Sequence, residues 1–326
     1  MNMPLDIREL MKSSASAREE REQPVRIAVF VDAEAPEALV EAVKSALHPQ
    51  TGLAILHVEA VVAGDLLEPS GSVDAVVALA GPGDVLEPSL KASRDKLVPT
   101  VALALGEERD SASRRLSQPL LDTLVGSDAE KVVTELGTWL ADRVSGKRLA
   151  LAANFSFVRR AVANESVKAT AFQNAVIGGV VVIPGADMPL MTANQAKMLL
   201  QIAAAYGEPL GAERIKELAA VVGGGFAFRA IARQVLTAIP GFGWAVKAGI
   251  GYSGTLAMGY AAVEYFESGG DVRGLAEKVR EARDKVVGAA ASRVLRDKRE
   301  TIPASAVVLD EDLALPEPAS GEGASH

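Results

Sequence analysis

Cysteine is missing from all 326 residues, and histidine occurs only three times. The first absence excludes disulfides, thiolate nucleophiles and Cys-ligated zinc or iron–sulfur sites. The scarcity of histidine, with no HExxH and with one of the three at position 326, argues against a His-built metal site or a Ser-His-Asp triad. Aromatic residues make up 4% of the chain, so its core is to be built from Ala, Val, Leu and Gly. A basic surplus is lacking as well. The chain carries 34 Lys and Arg against 42 Asp and Glu, a net charge of −8, which argues against nucleic-acid binding. Met1 to Pro24 is rich in acids (Asp6, Glu9, Glu19, Glu20, Glu22) and has no apolar secretory core, so residues 1–24 read as a flexible leader, frayed and partly helical. Phosphate chemistry, which runs without Cys or His, is not excluded by any of this.

What is present is a globular composition, 49% apolar and 23% charged, with a mean hydropathy of +0.18. The length favours two domains. Strands are predicted at Val25–Val31, Leu53–Val58, Val73–Ala80, Pro99–Leu105 and Leu121–Val125. Helices are predicted at Pro36–Leu47, Leu86–Leu97 and Asp128–Val144, the last capped by Ser127 or Asp128. The apolar runs Val73–Ala80 and Pro99–Leu105 suit buried parallel strands. The rhythm implies a three-layer α/β sheet domain over residues 25–146.

Ligands of such sheets bind at the carboxyl ends of the strands. A nucleoside-triphosphatase places GxxxxGK[ST] there, so that backbone N–H groups and the lysine hold the phosphates. In this chain Asp32 and Glu37 take the glycine positions, Ala38 the lysine position and Leu39 the hydroxyl position, with Glu34 between them. Three carboxylates against a phosphate mean repulsion, so no cofactor is expected. The stretch Gly106-Glu107-Glu108-Arg109-Asp110, after a strand, has no NKxD. Leu124-Val125-Gly126-Ser127-Asp128 is similar to a guanine-capping loop, a common pattern for any loop before a helix. The layout of Val25–Val144 resembles Era-like small GTPase domains with the nucleotide motifs gone; the alternative is an unrelated α/β domain.

The second half is a different material. Ala175–Val263 holds ten charged residues in 89 and fourteen of the 29 glycines. Pro184-Gly185 and Pro240-Gly241 each interrupt apolar helical patterns, which predicts two helical hairpins with apolar tips in a domain spanning residues 147–300. Ala245, Gly249, Ser253, Ala257 and Ala261 recur every four residues and predict a small-residue stripe along one helix, open to close packing. Asp187, Asn194, Gln195, Lys197 and Gln201 stand on an apolar background. They read as partner, headgroup or ion contacts, or as satisfied polar groups with Asp187 capping a helix and pairing with Lys197. Met188, Met191 and Met198 read as core filler, and Trp244 as an interfacial anchor or a packed aromatic. A long amphipathic helix is predicted over Val272–Arg299, and an acidic disordered tail over residues 301–326.

Phe172-Gln173-Asn174-Ala175, Ile183-Pro184-Gly185-Ala186-Asp187-Met188-Pro189, Thr192-Ala193-Asn194-Gln195-Ala196-Lys197-Met198, Ile202-Ala203-Ala204-Ala205-Tyr206-Gly207 and Ile239-Pro240-Gly241-Phe242-Gly243 together resemble an uncharacterised bacterial helical domain. That domain accompanies Era-like GTPases and YcjF-like inner-membrane proteins. The resemblance covers about Val167–Phe266. It implies a helical module attached to a GTPase and associated with the membrane, and it implies no activity.

The expectation is a non-catalytic adaptor or scaffold: an α/β, degenerate P-loop GTPase-like domain followed by an apolar Gly/Ala-rich helical hairpin bundle. It is expected to be cytoplasmic and peripheral at the inner membrane, with a separate GTPase or itself as partner and no nucleic acid. The rival readings are a soluble regulator of a partner GTPase and a hairpin that inserts into the membrane.

Overall fold

The computed structural model describes residues 7–69, 71–106, 121–180, 187–210 and 243–270, with positions 277 and 281. The elements run α1 (Ile7–Arg21), β1 (Val25–Asp32), α2 (Glu37–Ala46), β2 (Ala54–Val61), β3 (Ala75–Leu79), α3 (Glu87–Asp95), β4 (Thr100–Leu105), β5 (Asp122–Gly126), α4 (Ala129–Arg143), α5 (Arg148–Asn154), α6 (Arg159–Val180), α7 (Asp187–Ala205) and α8 (Gly243–Glu267). Short 3₁₀ turns at Ser145–Lys147 and Ser156–Val158 flank α5.

The five strands form one sheet in the order β2-β1-β3-β4-β5, and every pairing is parallel. The apolar runs explain the middle of this order. All five residues of β3 are buried, as are the first five of β4, because helices cover both faces. Alternate side chains divide between two layers. Ile27, Val29, Val77 and Leu103 share a core with α2 and α4, whereas Phe30, Ala78 and Ala102 pack with Leu86 and Leu90 at α3. Strand β2 lies at one edge and is much more open; Val58 is 62% exposed. Asp128 caps α4, its Oδ1 accepting the Glu130 N–H at 2.9 Å.

Two expectations about chain organisation are corrected. Residues 7–21 are not a flexible leader. Leu10, Ser14 and Ala17 lie at i, i+4 and i+7 and are all buried, so α1 presents a narrow face to α5 and α7. The Ser14 hydroxyl donates to the Leu210 carbonyl at 3.0 Å, and Glu20 Oε1 accepts the Leu149 N–H at 3.0 Å. The division at 146/147 does not separate two cores either. Leu149, Ala150, Leu151 and Phe155 belong to the same hydrophobic core as β1, β3 and β4.

Polar bonds reinforce that junction at the amino ends of the strands. Lys147 Nζ reaches Asp74 at 2.7 Å and donates to the Pro24 carbonyl at 2.8 Å, and Asp74 accepts the Arg26 N–H at 2.8 Å. Asn154, fully buried, accepts from the Thr51 hydroxyl at 2.6 Å through its side chain and from the Gln50 N–H at 2.9 Å through its carbonyl. The helical half is therefore fastened to the end of the sheet opposite the one where ligands of such folds bind. The helix predicted at Val272–Arg299, except for positions 277 and 281, and the tail 301–326 lie outside the described residues.

Candidate functional site

Strand β1 lies between β2 and β3, so the chain departs from it in one direction and returns on the other side. The loops after β1 and β3 diverge there, which makes this the crevice where a doubly wound sheet takes a ligand. The crevice holds Asp32. Its side chain is 3% exposed; Oδ1 accepts the Glu34 N–H at 2.9 Å and Oδ2 accepts the Gly81 N–H at 3.1 Å. Gly81 is required for this approach, since a Cβ there would lie 2.8 Å from Oδ2. The backbone donors that a phosphate needs are thus already occupied by the protein's own carboxylate. Of the three carboxylates expected at this loop, Asp32 is the buried one, and Glu34 and Glu37 are exposed, as is Ala38.

The second set of sequence candidates lies on α6, α7 and α8. These helices share a buried polar chain. Asn194 Nδ2 donates to Asn174 Oδ1 at 3.1 Å, and Asn174 Nδ2 donates to Thr255 Oγ1 at 3.0 Å. Gln195 Nε2 also donates to Thr255 Oγ1 at 3.0 Å, and the threonine hydroxyl donates to the Gly251 carbonyl at 2.7 Å. Asn174 and Thr255 are fully buried, Gln195 nearly so. Thr192, also fully buried, has a hydroxyl with no partner. Met191 and Met198 are buried.

The side chain of Asp187 lies outside what the structure describes, and Lys197 pairs across the fold. Its Nζ meets Glu9 Oε1 at 2.6 Å, a partner 188 residues away on α1. Pro184, Gly185, Pro240 and Gly241 lie outside the described residues. Asp187 opens α7 and Trp244 stands in the first turn of α8.

The small-residue stripe needs a correction. Gly249 is exposed, with open space where a Cβ would stand, and Ser253 and Ala257 are half-buried. The close contacts fall on a different face of α8. A Cβ on Gly251 would lie 2.6 Å from Met191 Cε and 3.0 Å from the Asn174 carbonyl oxygen; one on Gly259 would lie 2.5 Å from both γ carbons of Val167. Gly251, Thr255 and Gly259 also recur every four residues, offset by two from the predicted stripe, which is about 200° around the helix. With Asn174 against Gly251 and Val167 against Gly259, α6 and α8 run antiparallel. The sequence signal for this face was present in the same periodicity.

Near the end of α7, Tyr206 stacks on Phe266 with ring centroids 6.1 Å apart. Burial and the nearby Glu267 carboxylate push the phenol up to about 12. Burial, followed by the Arg21 cation, lowers Arg159 beside it. Among the described residues, no group of three or more His, Asp or Glu side chains is placed to hold a metal ion. Among them, too, no helix is long and apolar enough to cross a membrane.

No family model matches the chain, and no curated protein or solved structure matches it.

Proposed function

We propose that this chain is a non-catalytic adaptor or scaffold at a membrane surface, with a GTPase-like sheet whose nucleotide crevice is closed from within. The observation that carries the reading is Asp32, which occupies the switch-point crevice and consumes the N–H groups of Glu34 and Gly81. A group bound there has to displace a buried carboxylate and then tolerate its charge.

The membrane part of the reading rests on the end of the α6–α7 pair. Between Lys168 and Lys197 the sequence carries one charge, Asp187. Phe172 is 67% exposed, Val176 46% and Leu190 54%, on the stretches of α6 and α7 that lead into and out of residues 181–186. Exposed apolar side chains in a charge-poor setting suit an interfacial contact. The partner is a separate GTPase or a second copy of this chain, as the sequence resemblance implies. The rival soluble regulator is favoured by the Asn174–Thr255 chain, which satisfies its polar groups within the protein.

Vesicle flotation joined to nucleotide titration tests this. The full chain is expected to float with phosphatidylglycerol-containing vesicles without releasing an entrapped dye, and Phe172→Asp with Val176→Asp to abolish flotation. A fluorescent GTP analogue with magnesium is expected not to bind. Tight GTP binding overturns the closed-crevice reading, absence of flotation favours the soluble regulator, and dye release favours the membrane-inserting hairpin.

A further inference from the structure

A polar cavity of about 400 Å³ opens between α1, the α4–α5 turn, α6 and α7. We infer that it binds an uncharged, hydroxyl-rich small molecule of mono- or disaccharide size. Its wall includes Glu20, Arg148, Thr170, Gln173, Lys197 and Gln201. Every charged member is already engaged within the protein. Glu20 Oε1 takes the Leu149 N–H at 3.0 Å, Arg148 Nε gives its proton to the Ala141 carbonyl at 2.6 Å, and Lys197 pairs with Glu9. With Glu9 counted, the two cations Arg148 and Lys197 are balanced by the carboxylates Glu9 and Glu20, so the cavity offers no net positive charge to a phosphate or a carboxylate.

Each charged group nevertheless keeps hydrogen-bonding capacity. The guanidinium retains four N–H donors, the ammonium two, and the carboxylate its second oxygen. The neutral groups are less committed. Among the described residues, the side chains of Thr170, Gln173 and Gln201 make no hydrogen bond, and Thr170 is only 7% exposed. The Thr170 hydroxyl opens into the cavity, where a ligand can pair with it. A ligand hydroxyl is one donor and two acceptors, so a wall of donors, an acceptor and two-way amides suits several hydroxyls on one small frame. Among the described residues the wall contains no aromatic ring, which leaves a nucleobase without a stacking surface there.

Isothermal titration and saturation-transfer NMR on the full chain test the site, with glucose, trehalose and myo-inositol as probes and inorganic phosphate and glycerol 3-phosphate as an anionic arm. Saturable binding of at least one uncharged probe is expected, weakened about tenfold by Thr170→Val and by Gln201→Leu, the loss of roughly one hydrogen bond each. Gln201 is exposed, so its variant carries the test if Thr170→Val fails to fold. The assignment is overturned if none of the three uncharged probes binds, if binding is unchanged in the folded variants, or if only the phosphates bind.

Discussion

Inside the sheet, the buried side chains of β1, β3 and β4 are aliphatic or Phe30, apart from Asp32 and Thr100 at strand ends. Inside the α6–α7–α8 assembly, Asn174, Thr192, Gln195 and Thr255 are buried in mid-helix, and Gly251 and Gly259 set the helix spacing. The two interiors specify their geometry by different means. An aliphatic parallel sheet takes its register from backbone pairing and tolerates side chains of similar volume. Helices have no such ladder between them, and here polar pairs and glycine contacts fix the register of α6 against α8.

That contrast predicts where substitutions are felt. The largest effect is expected at Gly259. Gly259→Leu drives a side chain into Val167 and is expected to cost about 3 kcal/mol by urea denaturation, whereas Gly249→Leu on the open face stays within about 0.5 kcal/mol. Equal effects at the two glycines would erase the assignment of faces. Next, Asn174→Leu removes the acceptor of Asn194 and one of the three partners of Thr255, and is expected to cost about 2 kcal/mol. In the sheet, Ile27→Val is expected to cost only about 1 kcal/mol, so the gap between these two variants measures the contrast directly.

At the sheet's carboxyl end, Asp32→Ala strands two N–H groups and is expected to lower stability by about 2 kcal/mol, with less loss for Asp32→Asn. The smallest effect is expected at Tyr206, whose buried hydroxyl has no partner. Tyr206→Phe is expected to match or slightly exceed the parent at neutral pH. The phenol ionises near 10 when unfolded and only near 12 when folded, so its contribution is fully present below pH 10 and is lost as pH rises through 12. The variant escapes that loss, and its advantage should widen across that window in melts run at rising pH.

The sheet was legible because parallel strands buried on both faces leave unbroken apolar runs, as at Ala75–Leu79 and Thr100–Leu105. Asp32 was legible as a carboxylate in the wrong place for a phosphate, but its bond to Gly81 crosses 49 residues and leaves no local trace. The packing of α1 was missed because its buried face is only Leu10, Ser14 and Ala17 among many charges. The Lys197–Glu9 pair was not legible because Glu9 is 188 residues away in sequence and near only in space. On α8 two stripes of small residues share one period, and sequence alone offers no reason to prefer the Gly251–Gly259 face over the Gly249–Ala257 face.

The contacts of α1 also have a consequence in time. Its partners Lys197 and Leu210 lie 188 and 196 residues further along the chain. At roughly 5–20 residues per second, a ribosome needs on the order of 10–40 seconds to make that interval. Throughout it the face carrying Leu10 and Ala17 has been synthesised without the α7 surface that it meets in the finished fold. Helix α1 is therefore made well before it is completed, and it closes over the junction only after α5 and α7 exist for it to join.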